Sequence, residues 1–341
     1  MRLARRLFED LPPRGRVTVG VLALALLAAP LVVGSYPLSI LILVLYFAFI
    51  GQAWNVMMGF AGQLSLGHAL YLGLGGYTAA ALAFHFGISP WIGMIAGVAV
   101  AMLAGGVVGF LGFRFSLAGV YFALLTIAFA EFTRILFDHF PWVGGSAGLF
   151  LRVDGEPSLW HLRGGTTLFY YVILGLAAAA LVVCRLLLTS RLGYYWLAIR
   201  EDPEAARASG VDVFRCKMAA VLISSGMAAV GGAWAAFYYK NLFPETAFAM
   251  GRSIETILAP IIGGLGTLFG PLVGAAILVA LGDLFTVATE KIGQAWGIKT
   301  NGLKQIFYGL ALLAIVAFRR EGVWPWVADR LGLGRRRDGD R

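Results

Sequence analysis

The run Leu38–Met58, LSILILVLYFAFIGQAWNVMM, decides the fold of this chain. It contains no acidic or basic side chain. It also reaches the roughly 20 apolar residues that a helix needs to cross a hydrocarbon core about 30 Å thick. Working outward, comparable blocks recur at Val17–Val33, His68–Phe86, Trp91–Gly112, Leu117–Phe137, Leu168–Leu188, Lys217–Tyr239, Ile254–Leu265, Gly270–Ala288 and Leu303–Phe318. Across the 341 residues, 60% are hydrophobic and 13% are charged, whereas an ordinary soluble domain carries about 25% charged residues. These blocks predict an all-α polytopic transmembrane bundle of about ten membrane segments, some of them short and interrupted by glycine. They leave a cytoplasmic N-terminal segment over 1–16, one transmembrane domain over 17–320 and a basic cytoplasmic tail over 321–341.

The net charge of +9 does not point to nucleic acid, because the basic residues lie between and beyond the apolar blocks. Their distribution sets the orientation, since cytoplasmic loops carry the excess of Lys and Arg. With both termini inside, nineteen basic residues fall on the inner side and seven on the outer side. The tail Arg335–Arg341 reads as a solvated basic end near anionic lipid. The basic start followed by Val17–Val33 resembles a signal peptide, but the apolar run is long for one and Pro30 stands just after Ala28 and Ala29. A retained first helix is the preferred reading. The two cysteines, Cys184 and Cys216, suggest neither a disulfide framework nor a metal site.

Two polar insertions break the pattern. Asp138–Thr167 reads as a periplasmic loop with short structure around Gly144, Gly145, Asp154 and Gly155. Thr189–Cys216 reads as cytoplasmic and helical. Within it, Asp202 suits a helix N-cap, Pro203 the first helical position and Glu204 the positive end of the dipole. Ala205, Ala206 and Ala208 keep the helix narrow, and Gly210 ends it. A helix lying on lipid would carry bulky apolar residues on one face. This small face, edged by charge, fits a groove on another protein instead.

Glu204-Ala205-Ala206 followed by Gly210 resembles the EAA---G motif of ABC importer permeases. Ala198-Ile199-Arg200-Glu201-Asp202 and Gly62-Gln63-Leu64-Ser65-Leu66-Gly67-His68 resemble signatures of the branched-chain amino acid permeases, the LivM-like family. Tyr121–Thr126 and Gly263–Pro271 match its pattern as well, in the same order along the chain. The resemblance implies the ABC importer permease fold in a bacterial inner membrane. It implies two cytoplasmic ABC ATPase subunits, a periplasmic solute-binding protein and a second homologous permease subunit, as a heterodimer. It further implies docking on the ATPase through Arg200, Glu201, Asp202, Glu204, Ala205, Ala206 and Gly210. None of the five lysines follows a glycine, so the chain has no phosphate-binding G-x-x-x-x-G-K-[ST] loop. The chain is therefore expected to bind no cofactor and to be no enzyme, with ATP-Mg carried by the partner ATPase. Urea and short-chain amide permeases share the signatures. An ion-coupled secondary transporter is the rival class, but Glu131 and Asp283 offer it little.

For the solute path the sequence offers two glycine-broken stretches, Gly59–Gly67 and Gly263–Gly270, in opposite halves of the chain. Irregular backbone at membrane depth occurs only where protein buries it or where it lines a cavity. Paired breaks of this kind point to transport sites in inverted-repeat transporters. The candidate path residues are Asn55, Gln63, Ser65, His68, Thr126, Glu131, Gly263, Gly264 and Gly266. Glycines that only permit close helix packing are the alternative, for these and for Gly73, Gly75 and Gly76. His68 is read first as structural. Glu131 and Arg134, three residues apart, are expected to pair near the periplasmic end.

Overall fold

A computed structural model describes residues 13–151, 158–296 and 321–330, with 309, 310 and 313. The expected N-terminal segment up to residue 12, the tail from 331, and all but those three residues of Leu303–Phe318 lie outside the described residues.

The chain is helical almost throughout. Helix α1 spans Pro13–Val32, α2 Ser35–Asn55, α3 Ala69–Phe86, α4 Pro90–Arg114 and α5 Val120–Asp138. After a two-residue strand β1 (Leu149–Phe150) come α6 (Thr166–Leu188) and two short helices, α7 (Arg191–Glu201) and α8 (Pro203–Ala208). Helix α9 (Val213–Tyr239) leads into β2 (Asn241–Leu242), α10 (Pro244–Ala247) and α11 (Met250–Gly263). Helices α12 (Gly270–Trp296) and α13 (Trp324–Arg330) complete the described elements. Strand β1 pairs antiparallel with β2, Leu149 opposite Leu242.

Among the described residues seven helices are long and apolar enough to cross a membrane, against about ten segments expected. The physical reasons are local. In α1 only Val17–Val32 is apolar. Helix α11 has 14 residues, a rise of ~21 Å, short of the core thickness. The tenth block is mostly outside the described residues.

Helices α3, α4 and α9 form the centre, and small residues let them approach. A methyl at Gly75 would run into the backbone of Ala229, and one at Gly232 into the carbonyl of Leu72. Gly97 and Gly93 bring α4 as close to Gly75 and Ala79. Around this centre α2 carries the buried side chains Tyr46, Trp54 and Ile50, which pack on α9 through Trp234 and Gly231.

The connections sort to two ends. At one, Arg200 lies beside Gly62, Lys217 stands 5.8 Å over the Phe113 ring, and Gly264 packs against Gly322 and Trp324. At the other, His85 Nε2 donates to the Trp142 carbonyl (2.7 Å), Ser89 Oγ donates to the Trp160 carbonyl (2.7 Å), and β1 meets β2. The described residues of the insertions 139–165 and 189–212 therefore sit at opposite ends. They are called here the hairpin end and the α7 end.

Candidate functional site

The α7–α8 pair is fixed by its caps. Ser190 Oγ accepts from Gly193 N, and Asp202 Oδ1 accepts from Glu204 N (2.8 Å) and Ala205 N (3.1 Å). Pro203 then opens α8 where no amide hydrogen is needed. Gly210 reverses the chain at φ 85°, a conformation that costs glycine little. Under the pair, Trp196, Ile199, Ala206, Val213 and Cys216 form a buried cluster with Val56 and Phe60, and Trp196 Nε1 donates to the Cys216 carbonyl (2.7 Å). One docking expectation needs correction. Ala206 is buried, because its helical phase turns it onto this cluster, so it anchors α8 and is not on the free face. The exposed positions are Glu204, Ala205, Arg207, Ala208, Ser209 and Gly210, with Glu201 and Asp202 beside them. Arg207 Nη1 grips both Glu204 oxygens, at 2.7 and 2.8 Å.

Arg200 ties this pair to the transmembrane helices. The last turn of the α2 helix widens into a π turn over Val56–Phe60, a distortion common at functional sites. Arg200 Nη1 donates to the carbonyl of Gly59 in that turn (2.7 Å), while Nη2 reaches Glu201 (3.0 Å). One turn earlier, Asn55 clasps the second glycine-broken stretch: Nδ2 donates to the Thr267 carbonyl (3.0 Å) and Oδ1 accepts from Gly266 N (2.9 Å). Gln52 Nε2 donates to the neighbouring Leu268 carbonyl. Gly266 sits between Gly59 and the Arg200 guanidinium. Both breaks and the α7–α8 loop thus meet at one joint at the α7 end.

The first break is secured by side chains from four helices. Thr126 Oγ accepts from Leu66 N and Gly67 N, both at 3.1 Å, and donates to the Ala123 carbonyl. Trp54 Nε1 donates to the Ser65 carbonyl (2.8 Å), and Ala69 N to Ser253 Oγ (2.9 Å). Gln63 turns back onto the Ala61 carbonyl. His68 lies between Ser65 Oγ on Nδ1 (3.1 Å) and Ser224 Oγ on Nε2 (2.9 Å). Ser224 spends its hydroxyl hydrogen on the Ala53 carbonyl at 2.6 Å. It must therefore accept from His68 Nε2–H, which leaves Nδ1 to accept from Ser65. The ring is satisfied as a neutral imidazole, and the structural reading of His68 follows.

These contacts revise the list of path residues. Asn55, Gln63, Ser65, His68 and Thr126 are buried and held by protein groups. Gly263 packs on Gly270 and Gly274, Gly264 on Gly322, and Gly266 on Gly59. Two cavities, of about 460 and 560 Å³, open on the described surface, and none of these residues lines either. The packing alternative describes the contacts seen at the breaks in this conformation, where the glycines meet neighbouring backbone and several freed amides find partners within the bundle. Glu131 stands apart from them on the exposed face of α5. Arg134 bridges it (2.6 Å) to Asp138 (3.1 Å), so the expected pair forms and gains a third member. Asp283, which had no evident partner in sequence, accepts from Tyr36 Oη at 2.6 Å. Sequence reasoning also missed Ser224 and Ser253. Hydroxyls in otherwise apolar helices were the available signal, since they hydrogen-bond between helices there.

The family of branched-chain amino acid transport system permease components matches residues 36–316. The chain belongs to that family. It is therefore an all-α, multi-pass ABC permease, a component of a transport system. Among its relatives are the high-affinity branched-chain amino acid transport system permease protein LivM of Escherichia coli (strain K12), 28% identical over 92% of this chain and 76% of the relative. LivM of Salmonella typhimurium is 26% identical over 90% and 74%. The fructose import permease protein FrcC of Rhizobium meliloti is 28% identical over 76% and 74%. No solved structure matches the chain.

Proposed function

We propose that this chain is the permease subunit of an ATP-driven importer that carries branched-chain amino acids across a bacterial inner membrane. The α7 end faces the cytoplasm and the hairpin end the periplasm, with both termini inside. The partners are two ABC ATPases bearing ATP-Mg, a second homologous permease in a heterodimer, and a periplasmic solute-binding protein. The chain itself is no enzyme and binds no cofactor. The coupling loop 189–216, the periplasmic loop 138–167 and the span 17–320 act as one transmembrane domain.

One observation carries the reading. A capped helix with a narrow exposed face is joined through Arg200 to the end of a membrane-spanning helix. Such an arrangement lets a cytoplasmic motor pull on the bundle. Closure of the ATPases around ATP moves α8, Arg200 passes that movement to Gly59, and Asn55 passes it on to the α11–α12 connection. The exposed face of α5, with Tyr121, Leu124, Glu131 and Ile135, supplies the solute path against the second permease. Charge in an apolar span points toward protein or water rather than lipid.

The names of relatives support branched-chain amino acids, and FrcC adds a sugar to the competitors to be tested. With the four partner subunits in proteoliposomes, leucine uptake driven by ATP is expected to exceed uptake of urea and of fructose. Preference for either competitor overturns the substrate. Glu204→Lys and Ala205→Trp, on the exposed face of α8, are expected to leave the permease inserted and to abolish co-purification of the ATPase. Full retention of the ATPase by both variants overturns the docking reading.

A further inference from the structure

At the hairpin end the fold encloses a cleft of about 460 Å³ that the transport reading does not use. A small hairpin builds it. Ser158 and Arg163 pair through reciprocal backbone hydrogen bonds of 2.8 and 2.9 Å, and Leu162 turns the chain at φ 46°. Two bonds nail the hairpin to the start of α4: Ser89 Oγ to the Trp160 carbonyl, and Trp91 Nε1 to the Leu159 carbonyl at 3.0 Å. Lys240 closes the far wall as the αL cap of α9, at φ 62°, and its carbonyl accepts from Leu151 N at 2.9 Å. Three non-glycine residues among those described have positive φ, and two of them, Leu162 and Lys240, line this cleft. Backbone strain of that kind persists only where the surrounding structure over-determines it.

The lining chemistry is one-sided. Among the described residues, Arg163, Lys240 and His161 border the cleft and no Asp or Glu does. Among the described residues neither Arg163 nor Lys240 forms an ion pair. Helices α4 and α6 begin at its edge, at Pro90 and just after Gly165, which adds the positive ends of two dipoles. Phe84 lines the cleft and is exposed, and the nearby chain positions Phe86, Leu159 and Trp160 are exposed too. Aromatic side chains of this sort mark the level of lipid headgroups. The cleft is therefore cationic inside, with exposed apolar and aromatic residues close to it.

We propose that this cleft binds the phosphate of an anionic phospholipid in the leaflet at the hairpin end. The phosphate diester sits between Arg163 and Lys240, and the acyl chains leave past Trp160 and Phe84 into the bilayer. The same cation pair has the chemistry to hold free phosphate, so the test separates the two sources. Native mass spectrometry of the full chain, released from nanodiscs of mixed phosphatidylglycerol and phosphatidylcholine, counts the lipids retained. Retention is expected to favour phosphatidylglycerol and to fall roughly fivefold for each cation removed, in Arg163→Gln and Lys240→Gln. Millimolar inorganic phosphate is expected to leave it unchanged. Equal retention of both lipids, or undiminished retention in the double variant, overturns the site, and displacement by inorganic phosphate reassigns it to the free anion. If the double variant does not fold, Arg163→Lys, which keeps the charge, is expected to retain phosphatidylglycerol, and its loss there overturns the proposal. A weakened response to the solute-binding protein with unchanged lipid retention also overturns it, in favour of a protein contact.

Discussion

The two glycine-broken stretches resemble each other in sequence and are held by different physics. The stretch from Gly59 to Gly67 is secured by side chains reaching in from α2, α5, α9 and α11, each through one hydrogen bond or a pair. The stretch from Gly263 to Gly270 is held by backbone against backbone, with Asn55 and Gln52 clasping its turn. Hydrogen bonds of the first kind contribute about 1 kcal/mol net apiece, and more when a buried partner is orphaned. Contacts of the second kind are all-or-none, because a single methyl has nowhere to go. The first break thus combines adjustable hydrogen bonds with a tight contact of its own, Gly67 on the Thr126 carbonyl, whereas the second rests mainly on such rigid contacts.

The largest effect belongs to the rigid break. A methyl at Gly263 would overlap the Gly270 carbonyl and lie 2.8 Å from Gly274 N. Helix α12 must then shift off α11. Gly263→Ala is expected to cost about 4 kcal/mol or more, the range reserved for severe steric or cavity defects, and to show as loss of monodisperse protein after solubilisation. A well-folded Gly263→Ala protein with an unchanged melting temperature breaks the comparison.

An intermediate effect belongs to the adjustable break. Ser224→Ala removes the donor to the Ala53 carbonyl and the acceptor of His68 Nε2–H at once. Two buried groups lose partners, at about 1–3 kcal/mol each. The protein is expected to fold, with its melting temperature lowered by several degrees. Ser224→Thr keeps the hydroxyl and is expected to recover part of that loss. A Ser224→Ala melt equal to wild type would mean that the His68 network contributes nothing, and the first break would then need another explanation.

How much of this was legible in advance follows from what each feature depends on. The membrane helices were readable because apolar length alone selects them, and the caps of α8 because Asp202, Pro203 and Gly210 act on their own backbone. The burial of Ala206 was not readable, since a six-residue helix shows no face until the cluster under Trp196 sets its phase. The breaks were legible as sequence, but path and packing could not be told apart there. Glycine serves close packing and open backbone equally well, and only the position of Gly270, Gly274 and Gly322 around Gly263 and Gly264 decides between them. Arg200 looked like part of a docking surface, but its reach to Gly59, 141 positions earlier, depends on a contact no local pattern encodes.

The smallest effect on stability is expected at Arg200, where the two breaks and the coupling loop meet, and it sharpens the comparison most. The Arg200 side chain is 35% exposed and its bond to Gly59 is partly open to water, so Arg200→Lys is expected to shift the melting temperature by only about a degree. An ammonium keeps the charge but lacks the planar fork that reaches Gly59 and Glu201 together. If the adjustable break transmits motion and the rigid one follows it through Asn55, this variant should still bind the ATPase through α8, yet move less leucine for each ATP hydrolysed. Measuring uptake and phosphate release on the same proteoliposomes gives that ratio directly. A ratio equal to wild type would show that α8 drives the bundle by a route that bypasses Gly59. The Arg200 bond would then be a simple fastening, and the difference between the two breaks would matter for folding alone.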